Sequence, residues 1–241
     1  MGINISATKV VSLDDTHERL VDTSLANNPK LHSLNSLPVY AIFQRNRTGD
    51  KDRDGSPLVY ALKGIKKYTI SVSHEEHAYK RARDIVPQCL ASSQADYVIP
   101  IMSKYAVSSR VAQLVSEVSG IPFLNPDFLR KKTVGEMLEE HDGNVPSGLN
   151  ARNEHMFKQQ LHTWGRMPSG TAASMKEIDT KIRHCFAPIT ICGAVEHLRS
   201  ARVIVVDDLM SSGASLACVS SLLTTQCGCH VERAVCLLSP L

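Results

Sequence analysis

The chain has 241 residues, of which 43% are hydrophobic and 21% are charged, and its formal net charge at pH 7 is +3. These values are typical of a globular protein with an ordinary core, and so small a charge argues against nucleic acid or an anionic membrane as the main partner. No apolar run reaches the ~20 residues of a membrane span, and the N-terminus lacks the apolar core of a secretory signal.

The cysteines favour a reducing environment. There are seven, an odd number, and none has the paired CxxC spacing of a zinc site. Cys227 and Cys229, followed by His230, have no second half, so we predict no metal held by protein ligands. Several of the others lie in apolar surroundings, where a free cysteine acts as a small core residue. We therefore expect a cytoplasmic protein.

The N-terminal part of the chain predicts a short extension followed by strands. Residues 1–36 are polar and weakly periodic, so we expect an arm or a small capping element there. Two apolar runs, 39–44 and 58–62, favour strands. The connector between them, 45–56, contains Gly, Asp, Lys and Arg and almost nothing apolar, which predicts a β-hairpin with an exposed loop.

A long helix is predicted after residue 70. Ser73 is placed to cap it, Glu75 and Glu76 fall in its first turn, and apolar residues then recur at helical spacing.

A strand, a turn and a second helix follow. Residues 97–101 predict a buried strand and 102–107 a turn. Ser108 or Ser109 is expected to cap the helix, and Gly120 is expected to end it.

Residues 126–183 predict an insertion. They are charged and rich in Gly, Ser and Asn, with short helices expected near 134–141 and 151–162. Trp164 is expected to pack inside the insertion, as large aromatic residues usually do, and the small residues of 165–170 predict a mobile loop. Because the stretch is short and has few apolar residues, we expect a lid or partner-binding insertion without a core of its own.

Residues 203–215 read VIVVDDLMSSGAS and carry the clearest functional pattern. Four β-branched residues predict a buried parallel strand, Asp207 and Asp208 follow, and a small hydroxyl-rich loop leads into an amphipathic helix. Unpaired N–H groups and the helix dipole favour an anion at such a helix start. Carboxylates repel an anion but suit sugar hydroxyls or a metal-bound group, so a sugar phosphate is predicted. The alternative is a strand that ends in two acids before an ordinary Ser-rich helix cap.

In the order of these residues the chain resembles the type I phosphoribosyltransferases. Their diagnostic stretch is an apolar strand, two acids, two variable residues and a Gly-containing turn rich in Thr or Ser. The resemblance implies that Asp207 and Asp208 form a catalytic pair that holds the ribose 2′- and 3′-hydroxyls of phosphoribosyl pyrophosphate. It also implies that the next loop binds the 5′-phosphate, with Ser in place of the more usual Thr; this loop consists of Ser211, Ser212, Gly213, Ala214 and Ser215.

The same resemblance suggests where the pyrophosphate binds. In that family the loop after the first core strand receives it, and 102–105 occupies this place here. Ser103 and Lys104 are thus further candidate substrate ligands, with Lys104 supplying a compact positive charge. The alternative for Lys104 is a solvated surface lysine. Mg²⁺ is the expected cofactor, bound through the pyrophosphate of the substrate rather than by protein ligands.

Within the family the chain is most similar to the ComF-type, competence-associated phosphoribosyltransferases, over about residues 58–241. The stretches that carry this similarity are 61–67, 97–104, 120–133 and 179–188. Two departures are plain. The N-terminal cysteine-rich zinc module of those proteins is absent, and their Arg-Gly-Phe-Asn-Gln segment is not found between Lys104 and Val111.

Three functional hypotheses stay open. The first is transfer of phosphoribose to a nitrogen acceptor with release of pyrophosphate; Ser211 disfavours a 6-oxopurine acceptor, because relatives that use one place an aspartate there and serine has no accessible pKa. The second is a non-catalytic sensor of a nucleotide or phosphoribosyl pyrophosphate, or an accessory subunit. The third, suggested by the basic stretches 45–53 and 130–132, is association with nucleic acid. A homo-oligomer or a larger complex is compatible with each.

The expected fold is α/β: a doubly wound, mostly parallel sheet of the type I phosphoribosyltransferase kind in residues 37–241, with an N-terminal extension and a hood or lid insertion. Ligands of such sheets bind beyond the carboxyl ends of the strands, near a switch in strand order. This rule places Lys104 and Asp207 in one crevice.

Overall fold

A computed structural model describes residues 1–47, 56–142 and 144–241. The strands are β1 (Gly2–Ile5), β2 (Val10–Asp14), β3 (Val21–Asp22), β4 (Lys30–Leu34), β5 (Leu37–Arg45), β6 (Thr69–Ile70), β7 (Tyr97–Pro100), β8 (Leu129–Lys131), β9 (Ile189–Ile191), β10 (Arg202–Leu209) and β11 (His230–Leu238). The helices are α1 (Pro57–Leu62), α2 (Val72–Cys89), α3 (Val107–Ser119), α4 (Val134–His141), α5 (Ala151–Trp164) and α6 (Ala214–Thr225), with 3-10 helices at Met175–Glu177, Arg183–Cys185 and Glu196–Leu198.

The main sheet contains four parallel strands in the order β5-β11-β10-β7, and β3 and β4 pair antiparallel with β5. Successive residues of a strand point to opposite faces. Val203 and Val205 of β10 pack in one core with α6, whereas Ile204 and Val206 pack in the other with α2 and α3. Because helices cover both faces, the predicted α/β fold with a doubly wound, mostly parallel sheet is confirmed.

Residues 1–36 pack against the main core. β1 pairs with β2, and β2 pairs with β6 in a separate three-stranded sheet. The side chains of Ile3 and Val11 are fully buried in the same core as α2. The stretch therefore packs onto the main core, as an N-terminal capping element would.

The predicted strand at 58–62 is wrong, because this stretch lies in helix α1. Pro57 is the first residue of this helix. Proline is favourable there, because the N–H that it lacks would have no partner within the helix. The predicted hairpin across 45–56 is therefore wrong too, and residues 48–55 of its connector lie outside the described residues. A hairpin does join β4 to β5, through two residues with positive φ, Asn35 and Ser36, as a tight type I′ turn requires.

Two predicted helix caps also differ. The side chain of Ser71, not Ser73, accepts a hydrogen bond from the His74 N–H and caps α2. The cap position of helix α3 is Ala106, two residues before Ser108 and three before Ser109, so Ser108 lies inside the helix and is fully buried. Gly120 ends α3 in the left-handed conformation, as predicted.

The insertion, together with Phe186 just after it, forms a separate hydrophobic core, so the expectation that it lacks one is wrong. Phe157 of α5 stacks on Phe186 with ring centroids 4.9 Å apart, and the Trp164 ring lies 5.0 Å from Phe186. Trp164 is 1% exposed, as expected of a core residue. Phe186 lies 22 residues after Trp164 in the chain, so local composition understates how well it packs against the two aromatic residues of α5. Helices α4 and α5 form close to the predicted positions.

All seven cysteines are free, and five of them are buried. Burial raises the pKa of the Cys89 thiol to about 12, so this side chain stays protonated and behaves as an apolar core residue. None of the described helices is both long enough and apolar enough to cross a membrane.

Candidate functional site

A cavity of about 380 Å³ opens at the carboxyl ends of β7 and β10. It is lined by all nine residues selected from the sequence, namely Ser103, Lys104, Asp207, Asp208, Ser211, Ser212, Gly213, Ala214 and Ser215. The structure thus brings Lys104 and Asp207 into one crevice, as expected. Residues of the insertion and of the segment that follows it also line the cavity, among them Ala173, Ser174, Met175, Arg183 and Ile189.

The position of β10 explains why its acids face this cavity. β10 is flanked by parallel β7 and β11, with Val206 opposite Pro100 and Asp207 opposite Cys236. The carboxyl ends of three adjacent strands therefore lie at one edge of the sheet, where ligands of open α/β sheets bind.

The two acids differ in their surroundings. Asp208 is 5% exposed, and its Oδ2 lies 2.5 Å from the Lys63 ammonium. Asp207 is half-buried, and its Oδ1 accepts a hydrogen bond of 2.8 Å from the Asp208 N–H. The buried Ser108 hydroxyl stands between them, 3.4 Å from Asp207 Oδ1 and 3.3 Å from Asp208 Oδ2.

These surroundings raise the pKa of Asp207 above its ordinary value. Burial and the neighbouring Asp208 carboxylate raise its pKa to about 7, against an ordinary 3.8, while the Asp208 N–H, Lys63 and Ser108 act in the opposite direction. A carboxyl that titrates near neutrality and faces a cavity is typical of a functional site.

The loop before α6 is shaped by Gly213, which caps that helix with φ +73°. A Cβ at this position would lie 2.8 Å from Cδ1 of Leu34 in β4, so the loop also packs tightly against the N-terminal capping element. The first N–H groups of a helix have no partner within it and attract anions. The arrangement can therefore hold a phosphate at the start of α6.

Lys104 stands on the loop between β7 and α3. Its side chain is exposed, as a solvated lysine would be, yet it also lines the cavity, as a pyrophosphate ligand would. Its ammonium lies 5.0 Å from the centre of the Tyr105 ring, and the ammonium of Lys63 lies 5.5 Å from the same ring. Such contacts orient a cation through the electron density of the ring face.

The sequence did not point to three basic residues that line the cavity, Lys63, Lys131 and Arg183, nor to Ser108 as a contact of both acids. Ser108 was assigned to a helix cap. Lys63 and Arg183 fall in stretches quoted for their ComF similarity, but nothing in their neighbourhood predicts that they meet the acid pair or the cavity. Arg183 is held in place by donating from Nε to the carbonyl of Ile178, at 2.8 Å.

Within 1–47, 56–142 and 144–241, no cluster of three or more His, Cys, Asp or Glu side chains could hold a metal ion. The basic stretch 130–132 is paired with α4, because Arg130 contacts Glu136 and Lys132 contacts Glu140. Pairing with acids weakens the case for a nucleic-acid surface there.

No family model and no curated protein matches this chain. Solved structures do. A purine phosphoribosyltransferase from Pyrococcus horikoshii Ot3 is 15% identical, with 68% of this chain and 73% of that chain covered and a TM-score of 0.32. The adenine phosphoribosyltransferase of Leishmania donovani is 16% identical, with coverages of 99% and 75% and a TM-score of 0.39. That of Leishmania tarentolae is 14% identical, with coverages of 99% and 94% and a TM-score of 0.37. These three are purine phosphoribosyltransferases, and the ComF-type similarity stays a prediction.

Proposed function

We propose that the protein binds phosphoribosyl pyrophosphate and transfers its phosphoribosyl group to a nitrogen acceptor, with release of pyrophosphate. One observation carries the proposal: the acid pair, the loop at 211–215 and Lys104 line a single cavity at the carboxyl ends of adjacent parallel strands. Its volume of about 380 Å³ falls in the range of small-molecule sites. The motif at 203–215 and the ComF-type similarity support the same function.

Each part of the cavity has a task in this reaction. The N-terminus of α6 holds the 5′-phosphate, Asp207 accepts hydrogen bonds from ribose hydroxyls, and Lys104 offsets charge on the departing pyrophosphate. The transition state resembles an oxocarbenium ion, so fixing the ribose and excluding water matter more than forming a covalent bond to the protein. Ala173 and Met175 of the insertion also line the cavity, where their apolar side chains can keep water out.

Mg²⁺ belongs to the proposal as a companion of the substrate. It prefers oxygen ligands, keeps several waters and binds phosphates, and Asp207 offers a carboxylate at the cavity that fits this chemistry through a water. The ion would stabilise negative charge on the pyrophosphate.

The proposal does not identify the nitrogen acceptor, but it disfavours one class of acceptor. Ser211 is exposed and lines the cavity, and a serine hydroxyl cannot act as an acid or base near neutral pH. An acceptor that needs a carboxylate at this position, such as a 6-oxopurine, is therefore disfavoured.

A sensor without turnover is the second candidate function. One observation favours it: the buried Asp208 is engaged by Lys63 rather than presented openly to the cavity. Binding and turnover use the same phosphate loop, so the fold does not separate them. We further propose a cytoplasmic location, which the seven free thiols support; assembly with other copies or partners stays a prediction.

The decisive experiment measures pyrophosphate release from phosphoribosyl pyrophosphate and Mg²⁺ across a panel of nitrogen bases, with binding followed by calorimetry. The transferase predicts release that requires one class of base, and none with the Asp207→Asn variant. The sensor predicts binding with no release for any base. Absence of binding would show that the proposed function is wrong.

The loop at 165–170 is expected to become more protected from hydrogen exchange when phosphoribosyl pyrophosphate binds. It directly precedes Ala173 and Met175 in the cavity wall, and its backbone is tied to α4, since the Gly135 N–H donates to the Ser169 carbonyl at 2.8 Å. Closing lids commonly order such loops.

Exchange of 163–172 with and without the ligand measures this, with the buried amides of α2 as an internal reference. A partner-binding surface would be protected only in a complex. Equal and strong protection in both states would show a rigid insertion.

A further inference from the structure

The two adjacent acids at the end of β10 do not have equivalent positions. The Asp208 side chain is 8% exposed and faces the Lys63 side chain, which is 12% exposed, across 2.5 Å. Ser108 contacts the same Oδ2 from α3. Asp207 is half-buried; its Oδ1 accepts a hydrogen bond from the Asp208 N–H and lies 3.4 Å from the Ser108 hydroxyl, which has one proton for the two acids. Among the described residues both contacts fall on Oδ1, which leaves Oδ2 of Asp207 for a ligand.

We infer that Lys63 is a positioning residue that holds Asp208 inward, so that Asp207 alone presents its carboxylate to the ligand. The inference deepens the proposed function and rests on it for the identity of the ligand. It departs from what the type I phosphoribosyltransferase resemblance implies, namely two acids that share the ribose hydroxyls.

Charge gives the first argument for this division. Two ionised carboxylates beside a phosphate loop would repel a ligand that carries several negative charges. A buried carboxylate without a partner is also costly, whereas a close ammonium and a hydroxyl satisfy it. The Lys63 ammonium lies 2.5 Å from Asp208 and offsets its charge. The acid pair therefore presents less negative charge to the cavity than two adjacent aspartates in the sequence suggest.

The second argument is that Lys63 joins the two loops that would hold the ligand. Its ammonium contacts Asp208 at the end of β10 and also lies 5.5 Å from the centre of the Tyr105 ring, on the loop that carries Lys104. The residue itself is fixed at the end of α1, where its N–H donates to the Val59 carbonyl at 3.0 Å. Helix α1 therefore places the Lys63 ammonium near both Asp208 and Tyr105.

The test uses paired substitutions in the full chain, with affinity for phosphoribosyl pyrophosphate and Mg²⁺ measured by calorimetry and stability by thermal unfolding. Lys63→Met removes the charge but keeps the apolar stem, and we expect it to weaken binding roughly tenfold or more, because it leaves Asp208 buried without its ion partner. Lys63→Arg keeps the charge and should restore most of the affinity. Lys67→Met is the matched control, an exposed lysine of the same segment, and should bind like the wild type.

The double variant Lys63→Met with Asp208→Asn separates positioning from direct contact. It removes both buried charges together, so its unfolding midpoint should lie above that of either single variant, and its affinity should recover to within a few-fold of the wild type. If Asp208 touched the ribose, affinity would stay low in the double variant even though stability recovered, and the inference would be wrong. Failure of Lys63→Arg to restore binding would also overturn it. If the wild type binds no phosphoribosyl pyrophosphate, the proposed function itself fails, and this inference fails with it.

Discussion

Replacing Asp207 with Asn is expected to weaken the binding of phosphoribosyl pyrophosphate by roughly 10- to 100-fold. Hydrogen bonds to a charged group contribute about 1.5–3 kcal/mol, and about 1.4 kcal/mol corresponds to a factor of ten in affinity. The half-buried carboxylate lines the cavity, so its loss acts on the ligand directly. Asparagine keeps an oxygen that can still accept from the Asp208 N–H, so the local backbone is preserved.

The same variant should be more stable than the wild type at neutral pH. The folded carboxyl has a pKa of about 7 and its ordinary value is 3.8, so between about pH 4 and 7 the folded state keeps a proton that the unfolded state has lost. The wild type's free energy of unfolding therefore falls as pH rises through this window. Asparagine does not ionise. The difference in free energy of unfolding between the variant and the wild type is therefore absent near pH 4, grows up to about pH 7 and then stays constant. We expect a gain on the order of 1–2 kcal/mol, because partial solvation reduces the effect of the shift.

Calorimetry for affinity and urea unfolding at several pH values measure both effects. The matched control is Asp84→Asn on the exposed face of α2, which should change neither binding nor the pH dependence. Lost binding together with gained stability would identify Asp207 as a residue kept for its ligand at a cost in stability. Unchanged affinity would remove Asp207 from the binding site.

The part of the site that the sequence predicts is the part formed by one continuous segment. A buried strand, two acids, a small loop and a helix follow one another in 203–215, so local rules place the acids and the phosphate loop together. Lys104 could be added because the carboxyl ends of parallel strands meet at one edge of a sheet. This needed the strand at 97–101 to be right, and β7 forms there.

The partners of the acid pair required tertiary information. Lys63 lies about 145 residues before Asp208 in the chain, directly after a short apolar run that predicts a strand but forms a helix, a distinction that periodicity alone does not make. A strand at 58–62 gives no reason to expect Lys63 near the carboxyl ends of the parallel strands. Ser108 illustrates a related limit. Helix α3 begins at Val107, two residues earlier than a cap at Ser108 requires, and Ser108 is therefore a buried contact of both acids instead of a helix cap.

The insertion shows the same limit in its packing. Its polar composition predicted the two helices α4 and α5 but not a core. Phe157, Trp164 and Phe186 meet only after the chain has folded back on itself. Composition counts apolar residues, whereas a core depends on which of them come into contact.

Replacing Gly213 with Ala is expected to weaken phosphoribosyl pyrophosphate binding at least tenfold and to destabilise the fold by about 1–2 kcal/mol. The φ of +73° at this position is costly for a residue with a Cβ. The new methyl group would also stand 2.8 Å from Cδ1 of Leu34, so either that side chain or the loop must move. Binding should suffer more than stability, because a phosphate held by backbone N–H groups depends on their geometry within tenths of an ångström.

Gly228→Ala is the matched control. Its φ of +67° carries the same backbone penalty, but a Cβ there meets only Arg199 Cγ, at an ordinary 3.9 Å, and the residue does not line the cavity. It should lose similar stability in thermal unfolding and keep its affinity. Adding Leu34→Ala to Gly213→Ala separates the two causes, since it removes the collision and leaves the φ penalty. Recovered binding in that double variant would assign the loss to the contact with β4, and continued loss would assign it to the left-handed backbone. Wild-type affinity in Gly213→Ala alone would show that the phosphate does not bind at the start of α6.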